Sequence, residues 1–166
     1  MVSGRLHAMT RAAIDRLSRA ELLPVDAQVM VGDSETLTRT AVDVLCVSKR
    51  DPQKTVLIEV KCGFDRYLSS SSGKMRFELE AVDNSPRNQH HLQLAVTREL
   101  YARAYPLLEV PTGAVLWIDN DNNTRAESVK LWATENVDAV LRRMKHRIRR
   151  SCRPAASRRE RTTTNA

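Results

Sequence analysis

Two carboxylates and one amine lie in stretches of sequence that are otherwise apolar and strand-forming. Residues 55–61, TVLIEVK, are rich in β-branched and aliphatic side chains but contain Glu59 and Lys61, and residues 41–48, AVDVLCVS, contain Asp43. A carboxylate in an apolar sheet is costly to bury unless hydrogen bonds or an opposite charge compensate it. These three residues are therefore the first candidates for chemistry.

A hairpin would bring the two carboxylates together. The polar segment KRDPQK joins the two stretches, and its Asp-Pro pair favours a turn. A turn centred on Asp51 places Asp43 opposite Glu59, and Lys61 then projects from the same face because side chains alternate along a strand. Opposed Cβ atoms lie about 4.5–5.5 Å apart, which leaves room for one ion.

This arrangement suits a divalent cation and a hydrolytic reaction. Mg²⁺ accepts one or two carboxylates together with waters and a phosphate oxygen, so it would remove the repulsion between Asp43 and Glu59. Lys61 would then hold the attacking water and offset negative charge that grows on the phosphate.

The remaining pattern predicts an α/β sandwich. Residues 41–48 and 55–61 are apolar at nearly every position, which is typical of strands covered on both faces. Residues 63–86 contain SSSSG and Asn-Ser-Pro and read as irregular. The predicted elements are a helix at 9–22, strands at 27–31, 41–48 and 55–61, a helix at 87–105, strands at 113–119 and 128–133, and a helix that begins at Thr134.

The spacing resembles the PD-(D/E)XK nuclease superfamily. Asp43 is followed by IEVK with Glu59 and Lys61, and the predicted helix contains HHLQLAVTREL, which looks like the Gln-bearing helix of that superfamily. The resemblance covers about residues 9–119. It implies a restriction-endonuclease-like αβββαβ core with a mixed sheet flanked by helices on both faces. The proline that precedes the acid in the superfamily motif is replaced here by AVD.

The resemblance also implies roles for individual residues. Asp43, Glu59 and the carbonyl of Val60 would bind Mg²⁺, for which Mn²⁺ would substitute. Lys61 would orient the water, and Gln93 would assist as a catalytic residue.

Other residues are candidates of a second rank. Gln89 lies one helical turn before Gln93, and Arg66 and Tyr67 follow the motif in a loop, so all three are expected to contact nucleic acid. Some members of the superfamily add an acid from the first helix, and Asp15 and Glu21 are both candidates here. Asp33 is more simply read as a residue of a Gly-Asp-Ser turn.

The positive charge is concentrated at the C-terminal end. Residues 142–161 hold ten Lys or Arg and one acid, whereas the rest of the chain holds 17 Lys or Arg and 19 Asp or Glu. Such a segment suits contacts with phosphates, although a solvated extension or a nuclear targeting signal would look the same. The expected nucleic-acid contacts are Arg142, Arg143, Lys145, Arg147, Arg149 and Arg150.

The chain is expected to form one domain over residues 1–150, followed by a basic disordered tail over 151–166. Three widely spaced cysteines and the lack of a long apolar run point to an intracellular protein, in the nucleus if the tail is a targeting signal.

The sequence thus predicts a Mg²⁺-dependent nuclease that acts on DNA, with RNA left open. The alternative is a catalytically inactive nuclease fold that binds nucleic acid or supports assembly. Glu-x-Lys by itself is common in exposed strands, so the prediction depends on the facing Asp43, the order of elements and Gln93. Endonuclease and exonuclease action are both open. Whether the protein forms a homodimer is also open. Enzymes that cut two strands often do, but the sequence does not reveal an interface.

Overall fold

The computed structural model describes residues 7–63, 72–76, 79–109, 112–128 and 134–151. Within these residues, three helices and five strands follow one another in the predicted αβββαβ order, with a further strand and helix at the end. They are α1 (Ala8–Arg19), β1 (Leu22–Asp33), β2 (Thr38–Ser48), β3 (Thr55–Cys62), α2 (Pro86–Ala104), β4 (Thr112–Ile118), β5 (Thr124–Ser128) and α3 (Thr134–Ser151).

The strands form one mixed sheet in chain order. β1, β2 and β3 pair antiparallel, β3 pairs parallel with β4, and β4 pairs antiparallel with β5. The parallel step needs a long crossover connection, which the segment containing α2 supplies. The predicted mixed sheet is confirmed, and β3, the strand with Glu59 and Lys61, lies at its centre.

β3 and β4 present apolar side chains on both faces of the sheet, as their continuous apolar runs predicted. Leu57, Val115 and Trp117 pack on one side with residues of α2 and α3, which include Leu94 and Leu141. Ile58, Leu116 and Ile118 pack on the other side with Leu17 of α1. The prediction of helices on both faces is therefore confirmed.

Local chemistry determines where α2 begins and how closely it approaches the sheet. The Ser85 hydroxyl accepts a hydrogen bond from the Asn88 N–H at 3.2 Å, and Pro86 occupies the first turn. Against β4, a Cβ built on Gly113 would lie 3.2 Å from the Leu94 side chain. The absence of that Cβ lets α2 pack closely against the sheet at the level of residues 93 and 94.

Two boundaries differ from the prediction. The first helix ends at Arg19, and β1 starts at Leu22 and extends through the Gly32-Asp33 pair that was expected to turn. Pairing with β2 along ten residues of β1 outweighs the weak local strand signal of this segment.

The last strand also begins earlier than predicted. The carboxylate of Asp119 accepts N–H bonds from Asp121 and Asn123, and Asn122 adopts a φ of 64°, so the turn closes before Thr124. β5 then covers 124–128, a polar stretch at a sheet edge, where solvent exposure tolerates polar side chains. Residues 129–133 of the predicted strand lie outside the described residues.

The predicted C-terminal helix is present, whereas the disordered tail that was expected to follow it stays a prediction. α3 begins at Thr134 as expected and is helical through Ser151, while residues 152–166, the bulk of the predicted tail, lie outside the described residues. Within the described ranges, the helices do not combine the length and apolar character needed to cross a membrane.

Stability should fall in mild acid because of His91. This side chain is buried where α2 meets Glu127 of β5, and burial holds its pKa below the ordinary value of about 6.5 despite the nearby carboxylate. Below that pH the unfolded chain binds a proton that the folded protein resists, so stability declines as pH falls. The His91→Leu variant should therefore lose less stability than the wild type between pH 7 and pH 5, measured by urea unfolding.

The His146→Leu variant, which removes an exposed imidazole of α3 and not a buried one, is the matched control. An acid sensitivity identical in His91→Leu and the wild type would contradict the assignment.

Candidate active site

The pairing of β2 with β3 ends at Val44 and Ile58, and we call the opening beyond this pair the fork. The fork positions the first carboxylate. The hairpin has the predicted register, with Val44 opposite Ile58 and Leu45 opposite Leu57, and it turns at Asp51. The ladder ends at Val44, however, so Asp43 and Glu59 are not a backbone pair as expected. Asp43 instead reaches across the opening with its side chain, and its Oδ2 accepts the N–H of Val60 at 2.9 Å.

The second carboxylate is the buried member of a cluster of three side chains. Glu59 Oε1 accepts hydrogen bonds from Lys61 Nζ at 2.5 Å and from Gln93 Nε2 at 2.6 Å. Lys61 Nζ also lies 3.4 Å from Gln93 Oε1. Glu59 is 1% exposed, whereas Gln93 is exposed and Lys61 is partly exposed, so the cluster is open to solvent on the α2 side.

The surroundings of Glu59 act in opposite directions on the pKa of its carboxyl group. Burial raises the pKa of this carboxyl, the contacts with Lys61 and Gln93 lower it, and the negative charge of Asp43 raises it further. Oε2 is buried and has no hydrogen-bond partner among the described residues. Buried polar atoms are almost always paired, so an orphaned carboxylate oxygen marks a place where a ligand would be stabilising.

A third strand contributes a residue that the sequence did not reveal. Gln28 of β1 donates from Nε2 to Asp43 Oδ1 at 3.2 Å and has a φ of 55°, which is unusual for a residue other than glycine inside a strand. The alternation of β2 breaks at the same level, since Val42 packs with the α2 cluster and Val44 with the α1 cluster. The strained position and the break together turn Gln28 and Asp43 toward each other.

His90 is a second residue near the site that was not assigned to it. Its ring lies edge-on to Trp117, with ring centroids 5.3 Å apart. Burial and the nearby Lys61 lower its pKa, while a hydrogen bond with Gln93 raises it. The three-residue spacing from His90 to Gln93 was the available signal, because it places both side chains on one helical face.

Acids of α1 and β1 do not join the cluster. Asp15 is exposed on the helix that covers the opposite face of the sheet, and Glu21 pairs with Arg50 at the other end of the hairpin. Neither candidate from the first helix is therefore near Glu59. Asp33 is the last residue of β1 and not part of the turn as expected, but its carboxylate accepts the N–H of Glu35 in the turn that follows and pairs with Arg103.

The candidate nucleic-acid contacts are only partly described. Gln89 is exposed on α2 and donates to Asn84 Oδ1, while Arg142 is exposed on α3 and Lys145 is partly exposed there. Arg143 faces a cavity beside α2. Arg66 and Tyr67, and the side chains of Arg147, Arg149 and Arg150, lie outside what the structure describes.

The residues at the fork could hold a hard cation with a small number of protein ligands. Within the described part of the chain there is no group of three or more His, Cys, Asp or Glu residues that could hold a metal. Asp43 and Glu59 supply two carboxylates, a number that Mg²⁺ accepts when water and phosphate complete its coordination. The unpartnered Oε2 of Glu59 is the observation that supports the fit.

Comparisons with known proteins give only distant likenesses. No protein-family model matches the chain, and no curated protein matches it significantly. The crystal structure of a putative exonuclease from Eubacterium rectale aligns with all of this chain and 66% of its own, at 13% identity and a TM-score of 0.45. The protein SSO0001 aligns over 86% of this chain and 57% of its own, at 12% identity and a TM-score of 0.41. This chain thus spans less than two thirds of either structure, and likenesses at this level do not decide what it does.

Removing the charge of Lys61 should destabilise the fold more than removing the charge of Glu59. Lys61→Met leaves the Glu59 charge buried without its cation and should lower the free energy of unfolding by about 3 kcal/mol. Glu59→Gln keeps an amide that can bond Gln93 and removes the repulsion with Asp43, so it should cost less than Lys61→Met. Urea unfolding of both variants measures the difference.

The double variant Glu59→Gln/Lys61→Met serves as the control, because it leaves no unpaired charge. It should be more stable than Lys61→Met alone. Strictly additive losses would show that the two side chains are not coupled.

The strain at Gln28 predicts a reversal of the usual preference for alanine over glycine. Both Gln28→Gly and Gln28→Ala lose the contact with Asp43, but only glycine adopts a φ of 55° without cost. The glycine variant should therefore be more stable than the alanine variant by about 1 kcal/mol. Thermal unfolding provides the measurement.

Met30, another exposed residue of β1, is the matched position. There the alanine variant should be the more stable of the two, since glycine weakens an ordinary strand position. The same order at both positions would rule out strain at Gln28.

Proposed function

We propose that this chain is a metal-dependent nuclease that hydrolyses DNA phosphodiester bonds. The proposal rests chiefly on the buried Glu59 carboxylate, which combines an ion pair to Lys61, a hydrogen bond to Gln93 and an unpartnered oxygen at an open fork in the sheet. A structural ion pair would need neither the orphaned oxygen nor the second carboxylate of Asp43 nearby.

The carboxylates of Asp43 and Glu59 and the carbonyl of Val60 would hold Mg²⁺, with Mn²⁺ as a substitute. When bound, the cation would act as a Lewis acid on a phosphate oxygen and lower the pKa of a coordinated water. The buried position of Glu59 excludes bulk water from its own side, so its charge is weakly screened there.

Lys61 and Gln93 would act on the water and the phosphate. The Lys61 ammonium, ion-paired with Glu59, has donors to orient an attacking water or to stabilise charge on a phosphate oxygen. The exposed Gln93 amide would hold the water through its carbonyl oxygen. The water oxygen forms the new bond to phosphorus as the bond from phosphorus to the leaving sugar oxygen breaks.

Gln28 and the basic end of the chain would have supporting roles. The Gln28 amide holds one oxygen of Asp43 while the Val60 N–H holds the other, so the carboxylate is oriented before any ligand binds. Arg142, Arg143 and Lys145 of α3, with the basic residues that follow them, would contact phosphates without reading sequence.

Loss of Lys61 should slow cleavage strongly. Linear, nicked, branched and single-stranded DNA are incubated with the protein and Mg²⁺ or Mn²⁺. Removing the ammonium should lower the rate for Lys61→Met by at least about 100-fold, as expected for a group that acts on the reacting atoms. Asp43→Asn and Glu59→Gln should have comparable effects, measured by gel or fluorescence.

Lys49→Met is the control, since Lys49 is an exposed lysine in the hairpin turn, remote from the fork. It should retain wild-type activity. Cleavage that is equal in Lys61→Met and the wild type, or absent from every substrate, would overturn the proposal. Binding without cleavage would favour an inactive nucleic-acid-binding fold.

A further inference from the structure

A groove runs between α2 and α3 beside the candidate active site. Two adjoining cavities of about 380 Å³ each share Gln89, Leu92, Val140 and Met144 as a common wall. Each is within the size range of ligand sites. We call the two together the α2–α3 groove.

One end of the groove meets the fork. Gln93, which hydrogen-bonds Glu59, lines the nearer cavity together with Thr38, Arg39 and Thr40 at the start of β2. The farther cavity extends along α2 to Lys74, Met75 and Arg76. A ligand lying in the groove would therefore reach the side chain that contacts the catalytic carboxylate.

The charge of the described lining has one sign. Arg39, Lys74, Arg76 and Arg143 line the two cavities, and none of the described residues of the lining is Asp or Glu. Lys74 pairs with Asp83, whereas Arg39 and Arg76 are exposed and form no ion pair with another described residue. The chain outside residues 142–161 is slightly acidic, so the four basic residues of this described lining are a local concentration of positive charge that suits a polyanion.

Apolar residues form a continuous part of the lining, beside polar residues such as Gln89 and Thr97. Leu92, Val96, Val140 and Met144 form much of the wall between the two helices. A duplex presents phosphates outward and keeps its bases paired, so it gains little from such a wall. A single strand has exposed bases that can lie against apolar side chains while its phosphates meet guanidinium groups.

We propose that the α2–α3 groove binds single-stranded nucleic acid and leads it to Gln93. This identifies the substrate class of the site and rests on the proposed nuclease function for its catalytic meaning. The bases would lie against Leu92 and Met144, and the phosphates would contact Arg39 and Arg76.

The test is binding in EDTA, where cleavage cannot occur. Fluorescence anisotropy with labelled dT12, rU12 and a 12-base-pair duplex compares the wild type with Arg39→Glu/Arg76→Glu. The charge reversal should weaken dT12 binding by at least about tenfold and reduce the salt dependence of binding, because phosphate contacts are lost. Duplex binding, carried by the basic C-terminal end, should change less than twofold. The proposal would be overturned if the charge reversal weakened single-strand and duplex binding equally, or if it weakened neither.

Two further variants complete the design. Arg19→Glu/Lys49→Glu makes the same charge change away from the groove and should leave dT12 binding within about twofold of wild type, since it removes only long-range attraction. Met144→Glu places an acid in the apolar wall and should weaken dT12 binding by at least about fivefold, because it repels the phosphates. Thermal unfolding confirms that each variant is folded. Comparison of rU12 with dT12 shows whether the groove accepts RNA, DNA or both.

The two proposals fail separately. Groove-dependent binding of dT12 by a protein that cleaves nothing would support the groove and overturn the nuclease. Metal-dependent cleavage that is insensitive to Arg39→Glu/Arg76→Glu would support the nuclease and overturn the groove.

Discussion

A single buried carboxylate organises this structure. Glu59 lies in the central strand with 1% of its surface exposed, so its charge must be compensated within the fold. Lys61 supplies the cation from the same strand, and Gln93 supplies an amide from α2. That amide reaches Glu59 only because α2 packs closely on β4, where Gly113 leaves room for Leu94. The packing of the core therefore also determines how the charge of Glu59 is compensated.

Three unfavourable local features coincide at the fork between β2 and β3. An unpartnered carboxylate oxygen, repulsion between Asp43 and Glu59, and a positive φ at Gln28 all occur there. Elsewhere the sheet has aliphatic residues on both faces, and the β1–β2 pairing shifts register between Pro24 and Asp26. Unfavourable local features persist when the surrounding structure holds them in place, and they tend to coincide with function.

α2 connects the two proposed activities. The face that carries Gln93 contacts the carboxylate, and Gln89 and Leu92 on the adjoining surface line the groove that continues toward Arg76. Binding and chemistry would thus depend on the same rigid element, whose position is set by its start at Ser85 and its packing on β4. A strand held along the helix would enter the fork in a defined orientation, which reduces the entropy lost on reaching the transition state.

The amino-acid sequence by itself determined the element order, the sheet covered on both faces and the register of the hairpin, because apolar periodicity and an Asp-Pro turn are local signals. It also predicted that Asp43, Glu59, Lys61 and Gln93 would meet. The sequence placed β5 too late and paired Asp43 with Glu59 directly, and it did not reveal Gln28, His90 or the groove. Those features depend on where strands stop pairing and how closely helices approach the sheet. Only the tertiary structure decides them, because they arise from contacts between residues far apart in the chain.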